Sequence, residues 1–121
     1  MPLVKAFSLV AKSHPNSRLV LLGSVVEGAY GKGVRTFVKG AGLEKNVVFA
    51  GYDRAVGSYY CAADVFVLPS FWEGWSLSFG EALYSGMPIV STTVGAAREF
   101  AHINNVLLVE PPFGDVTNLN F

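Results

Sequence analysis

Val65-Phe66-Val67-Leu68-Pro69, then Ser78-Phe79-Gly80-Glu81-Ala82-Leu83-Tyr84-Ser85, then Gly86-Met87-Pro88-Ile89-Val90-Ser91-Thr92, spells strand, helix, strand. The first segment is a continuous apolar run of about four residues, and the last ends in the strand Ile89-Val90-Ser91-Thr92. Such runs are expected of parallel strands buried on both faces. Between them, Gly86 followed by Pro88 predicts a helix that ends at Ser85, with a glycine C-cap and a proline stop. Working upstream, Val47-Val48-Phe49-Ala50, closed by Gly51, predicts a strand, and Arg54 to Ala63 a short helix presenting Val56, Tyr59 and Tyr60. Leu19-Val20-Leu21-Leu22, ending at Gly23, predicts another strand. Glu27 to Ala41 reads as a helix punctuated by Gly31, Gly33 and Gly40, and Pro2 to Lys12 as a helix with Leu3, Phe7 and Val10 on one side. Downstream, Ala97 to Ala101 predicts a helical turn, Val106-Leu107-Leu108-Val109 a fifth strand, and Pro111-Pro112 the end of regular structure. Short apolar strands alternating with helices predict an α/β fold, a Rossmann-like parallel sheet with helices on both faces.

In such sheets, ligands bind beyond the carboxyl ends of the strands. The segments of interest are therefore Gly23 to Gly28, Gly51 to Arg54, Pro69 to Leu77 and Thr92 to Glu99. Composition narrows what those segments hold. With 51% hydrophobic and 15% charged residues in 121, the chain has the makings of one folded domain rather than a disordered tail. Nine basic residues balance nine acidic ones, which argues against a nucleic-acid partner or a polybasic membrane surface. One cysteine, Cys61, excludes an intrachain disulfide and a multi-cysteine metal site, and its apolar helix face predicts a small core residue. Lys5 and Lys12 interrupt any signal-peptide core, and no apolar run approaches the ~18 residues of a membrane span, so the expected location is cytoplasmic.

Familiar nucleotide motifs fail. Gly31-Lys32-Gly33 has Thr36 where a dinucleotide fingerprint needs glycine, and no P-loop pattern exists. His14 and His102 have no ligand cluster around them and suggest surface or capping roles. What holds is Pro69-Ser70-Phe71-Trp72-Glu73-Gly74-Trp75-Ser76-Leu77-Ser78-Phe79-Gly80-Glu81. Glu73 falls in the loop beyond a strand. Glu81 falls in the first turn of the next helix, about 4.5 Å along its axis from a start at Ser78. Between them lie Gly74 and the amides of a helix N-terminus, which suit an anion such as a diphosphate. Carboxylates are bidentate acceptors for vicinal hydroxyls, so hydroxyl, diphosphate, hydroxyl in series describes a nucleotide sugar. Ser78-x-x-Glu81 is also a capping box in which Glu81 would bond the Ser78 N–H; the two roles are compatible.

This stretch resembles the E-x7-E motif of retaining GT-B glycosyltransferases of family 4. Ala63 to Ser70 is similar to the strand before that motif, Glu81 to Val90 to its helix and following strand, and Gly95-Ala96-Ala97-Arg98-Glu99 to the family's G-G-x-x-E turn, with Ala96 at the second glycine. The resemblance implies that residues 1–121 are a single nucleotide-sugar-binding domain, the C-terminal half of a GT-B fold and partial at both ends. It implies Glu73 as the catalytic carboxylate on the donor sugar, Gly74, Trp75, Ser76 and Leu77 around sugar and phosphate, and Glu81 on the ribose. Tyr52 would meet the base, with Gly23 also on the donor side. Glu99 would either bind donor-side groups or cap its own turn. Trp75 and Ser76 replace the usual Phe and Gly, and Ser76 would either crowd the diphosphate or donate to it. No metal and no cofactor is implied beyond the nucleoside-diphosphate sugar itself. The partners implied are that nucleotide sugar and an N-terminal acceptor domain, through which alone a peripheral membrane contact would arise. The strand, Arg and Lys that the family places before its first helix, and the helices after Thr117 to Phe121, are not matched, so an isolated chain is expected to be inactive. Alternative readings are a non-catalytic nucleotide-sugar-binding or interaction module and a sugar-nucleotide epimerase. A hydrolase using Glu73 and Glu81 as an acid–nucleophile pair is the weakest.

Overall fold

A computed structural model describes residues 2–24 and 28–111. The predicted start of a helix at Glu27, the Pro112 boundary and the segment Thr117 to Phe121 lie outside the described residues. The elements follow in the order α1 (Pro2–Ser13), β1 (Leu19–Leu22), α2 (Ala29–Gly40), β2 (Val47–Gly51), α3 (Val56–Ala62), β3 (Phe66–Leu68), α4 (Leu77–Tyr84), β4 (Ile89–Thr92), a 3-10 helix (Gly95–Phe100) and β5 (Val106–Val109). The chain divides into two compact units, one through Arg54 and one from Ala55.

In the first unit β1 and β2 pair in parallel, with Leu19 opposite Val47 and a bulge between Leu21 and Leu22. Val4 and Phe7 of α1, Val34 and Val38 of α2, Leu43 and Val47 form its core, with Ala11, Leu19, Leu21, Phe37 and Phe49 against it. The buried stripe of α1 is thus Val4, Phe7 and Ala11, not the expected Leu3, Phe7 and Val10; Val10 is 46% exposed. Both sets have helical spacing and share Phe7, and the pattern alone leaves open which side the sheet covers. Asn46 Nδ2 donates to the carbonyls of Pro15 and Ser17, both at 2.8 Å, tying the entry of β2 to the turn before β1. Gly23 N–H donates to Gly51 O at 2.8 Å, so the carboxyl ends of β1 and β2 meet.

In the second unit the strand order is β3-β4-β5, all parallel, with Phe66 opposite Ile89 and Ile89 opposite Val106. Phe79, Ala82, Met87, Ile89 and Ala97 form its core. Gly86, at φ 72°, takes the left-handed position after α4 that a side chain would resist, and its N–H closes on Leu83 O at 3.0 Å. The central strand β4 is covered along its length, whereas β1 and β5 alternate between half-buried and exposed residues. Burial on both faces therefore holds for β4 but not for β1 or β5. An apolar run records only that both faces tolerate apolar residues, and a flanking strand has fewer neighbours to cover them. No described helix is long and apolar enough to cross a membrane.

Ile89 is 1% exposed at the centre of the second core, and Leu107 on β5 is 61% exposed. Ile89→Ala should cost about 2–5 kcal/mol in urea unfolding. Leu107→Ala should cost less than about 1 kcal/mol, because little of its surface leaves water on folding.

Candidate functional site

The loop after β3 and the turn after β4 are built against each other. Gly95, at φ 51°, lies so close that a Cβ there would overlap the carbonyl oxygens of Glu73 and Gly74. Ala96 N–H donates to Gly74 O at 3.1 Å. Buried Thr92, at the end of β4, donates its hydroxyl to the Ser70 carbonyl, with Leu68 O also within 3.3 Å. Ser70 Oγ in turn donates to Glu73 Oε1 at 2.8 Å. A chain of contacts thus runs from β4 through Thr92 and Ser70 to the Glu73 carboxylate, which is half-buried. Phe100 packs on both Trp75 and Phe79, with ring centroids 6.0 and 5.7 Å apart, so the 3-10 helix also holds the far side of the loop.

Helix α4 begins one residue earlier than expected. Ser76 is its N-cap: Ser76 Oγ accepts from Phe79 N–H at 3.4 Å and shares a 2.9 Å hydrogen bond with Ser78 Oγ. Ser76 Oγ thus acts as an acceptor at the start of the helix, which leaves its own proton to Ser78 or to a ligand. The first backbone bond of the helix runs from Gly80 N–H to Ser76 O, so the N–H groups of Leu77 and Ser78 precede the intrahelical ladder. Glu81 then sits in the second turn, not the first, and the expected capping box with Ser78 gives way to the Ser76 cap. The Glu81 carboxylate is exposed and accepts from Tyr60 Oη of α3 at 2.9 Å.

Glu81 and Tyr60 lie in the wall of a groove of about 650 Å³ between α3 and α4, whose lining includes Val56, Cys61, Trp75 and Leu77. Cys61 is exposed, which corrects its expected place in the core; the α3 face it occupies borders this groove. Glu73 is not part of the groove lining. Gly74, Trp75 and Leu77 are exposed, Trp75 by 53% and Leu77 by 76%. Glu99 is exposed on the 3-10 helix. Arg98 Nε donates to Thr93 O at 2.7 Å, which fixes the guanidinium near the end of β4. In the first unit, Gly23 is half-buried at the end of β1 and Tyr52 is 74% exposed just past β2. Among the described residues, no three His, Cys, Asp or Glu side chains form a group suited to a metal ion. Sequence reasoning missed the Thr92–Ser70–Glu73 chain and the Tyr60–Glu81 bond. Both join elements distant in sequence, and only the order of strands in the sheet brings them together.

Residues 2–119 match the family described as Glycosyl transferases group 1. The mannosylfructose-phosphate synthase of Agrobacterium fabrum is 34% identical over 117 residues, covering 90% of this chain and 26% of that enzyme. The chain spans about a quarter of the length of such curated relatives. Among solved structures, the C-terminal domain of the group 1 glycosyl transferase LpcC from Francisella tularensis superposes with a TM-score of 0.80 at 30% identity, over 91% of this chain and 60% of that one. Anabaena HepE (Alr3699), solved in complex with UDP, superposes with a TM-score of 0.75 at 27% identity, over 84% of this chain and 29% of that one. Parallel strands, the loop–helix geometry and a family match over nearly every residue lead to one conclusion: this chain belongs to the group 1 glycosyl transferases.

Proposed function

We propose that the chain is the donor-binding domain of a retaining glycosyltransferase, which moves a sugar from a nucleoside-diphosphate sugar to an acceptor. The observation that carries this reading is the Glu73 loop. Its carboxylate is oriented by Ser70, its backbone is seated on Gly95 and Ala96, and it opens directly onto the N-terminus of α4. In this reading Glu73 accepts hydroxyls of the donor sugar and stabilises the positive charge that grows on the ring as the glycosidic bond breaks. The amides from Gly74 to Ser78 face the departing diphosphate, where partial positive charge at a helix start favours an anion. Such preorganised donors stabilise a leaving group without a metal ion. Glu81 holds the ribose. A base-side role for Tyr52, and donor-side roles for Gly23 and Glu99, rest on the resemblance alone. UDP bound to the HepE relative supports the ligand class. Acceptor binding is assigned to a separate N-terminal domain.

The 121-residue chain should bind a nucleoside diphosphate in calorimetry yet transfer no sugar by itself, because this reading assigns acceptor binding to a separate N-terminal domain. Joined to the N-terminal part of a group 1 relative, it should transfer with retained anomeric configuration, and EDTA should leave the rate unchanged. Inversion, or loss of activity with EDTA restored by a divalent ion, would count against the mechanism.

In the same chimaera, Glu73→Gln should lower kcat by ~10²-fold or more, as expected for loss of a charge stabiliser in the transition state. Glu81→Gln should raise the donor KM with little change in kcat, since the ribose is remote from the breaking bond. Equal weakening of nucleoside diphosphate binding by both, with kcat intact, would make Glu73 a structural loop residue.

Gly95→Ala combines a left-handed backbone with an overlap against two carbonyl oxygens, so the Glu73 loop must move. The expected result is a fall in kcat of ~10-fold or more, a 1 Å displacement being enough for such losses. The β3-β4-β5 core, which Gly95 does not enter, should keep its circular dichroism.

A further inference from the structure

A carboxylate on an exposed helix face is ordinarily free to swing among rotamers, and a mobile acceptor recognises hydroxyls poorly. Glu81 is such a residue by position, yet its carboxylate is engaged from another helix. Tyr60 Oη approaches Glu81 Oε2 at 2.9 Å and Ser78 O at 3.2 Å. A phenol has one hydrogen to give, and the shorter, charged acceptor takes the stronger share. The tyrosine is itself anchored: its ring packs on Phe66 of β3, with centroids 6.0 Å apart and planes tilted by 58°, and against the second core. An ordered path therefore runs from the sheet through an aromatic ring to one oxygen of the carboxylate. Tyrosine is also a neutral donor, so it fixes Glu81 without cancelling its charge as a lysine or arginine would.

We propose that Tyr60 is a positioning residue for nucleoside recognition, holding Glu81 Oε2 so that Oε1 is presented to the vicinal hydroxyls of a ribose. This rests on the donor-site reading and deepens it, because α3 now takes part in a site otherwise carried by the β3–α4 loop. Burial, and then the hydrogen bond to Glu81 and its negative charge, push the Tyr60 phenol up to about 12, as a neutral donor beside a carboxylate requires. With the folded value above the ordinary 10, the stability that the neutral phenol carries is fully present below pH 10 and is lost as pH rises through about 12.

The test is calorimetry on the 121-residue chain with UDP, GDP and ADP, and with the 2′,3′-dideoxy form of whichever binds. Tyr60→Phe should weaken the ribonucleotide about 3- to 10-fold, the net range of one ordinary hydrogen bond, since the exposed carboxylate can recover a water in its place. It should leave the dideoxynucleotide within about 2-fold, and have no further effect in a Glu81→Ala background. Equal weakening of both nucleotides, or losses that multiply independently in the double variant, would make Tyr60 a packing residue and overturn the proposal. Wild-type binding that depends on the ribose hydroxyls but is untouched by Tyr60→Phe would overturn it while sparing the donor site. Failure of the wild type to bind any of the three diphosphates would overturn the donor-site reading, and this one with it. A ligand-free measurement covers loss of fold in Tyr60→Phe. In Glu81→Ala the alkaline titration of phenol absorbance should lose part of its component near 12, and an unchanged titration would remove the premise.

Discussion

The carbonyl oxygens of Glu73 and Gly74 lie against Gly95, with no room for a β-carbon between them. That backbone-to-backbone approach fixes where the loop after β3 ends and α4 begins, and with it the direction in which the helix start points. It also explains why the turn after β4 is a 3-10 helix: Ala96 N–H leaves the local ladder to bond Gly74 O, and Ala97 N–H turns back to Val94 O at 3.2 Å. Thr92 secures the same loop from below through Ser70, and Phe100 secures it from the side through Trp75. Three successive parts of one segment, strand end, turn and helix, thus position one acidic residue. A loop bound so densely loses little further entropy when a ligand arrives, which is the requirement for electrostatic stabilisation of a leaving group.

The alternation of strands and helices was legible because each element has its own period and its own punctuation. Gly86 before Pro88, and Gly51 after an apolar run, mark ends that the structure reproduces within one or two residues. Which face each element buries was less legible. In α1 two helical stripes cross at Phe7, and the choice between them belongs to α2 and the strands, not to α1 itself. In β1 and β5 the apolar run overstates burial, since a flanking strand keeps apolar residues on its outer face; Val20 is 45% exposed. Cys61 was misplaced for the same reason: an apolar neighbourhood in sequence became the rim of a groove rather than a core.

The site was legible where its parts are close in sequence. The spacing of Glu73 and Glu81 and the glycine between them mark the loop and the helix start in the sequence itself. The helix boundary was misread by one residue because Ser76 and Ser78 are both good caps, and the choice depends on which serine reaches an N–H group; Ser76 reaches that of Phe79. That single shift moves Glu81 into the second turn and abolishes the capping box. What it frees is the carboxylate, which then meets Tyr60, 21 residues earlier.

The two acidic residues are held by the same physical device at different ranges. Ser70 and Tyr60 each supply one neutral hydroxyl to one carboxylate oxygen, which orients the group and leaves its negative charge and its second oxygen to a ligand. For Glu73 the donor is three residues away in the same loop, so the arrangement survives any motion of that loop as a body. For Glu81 the donor belongs to a different helix, so its orientation depends on how α3 packs on β3. The carboxylate assigned to the breaking bond is therefore the locally supported one. The carboxylate assigned to the nucleoside is coupled through Tyr60 and Phe66 to the sheet, and a change in the seating of α3 would reorient Glu81 before it disturbed Glu73.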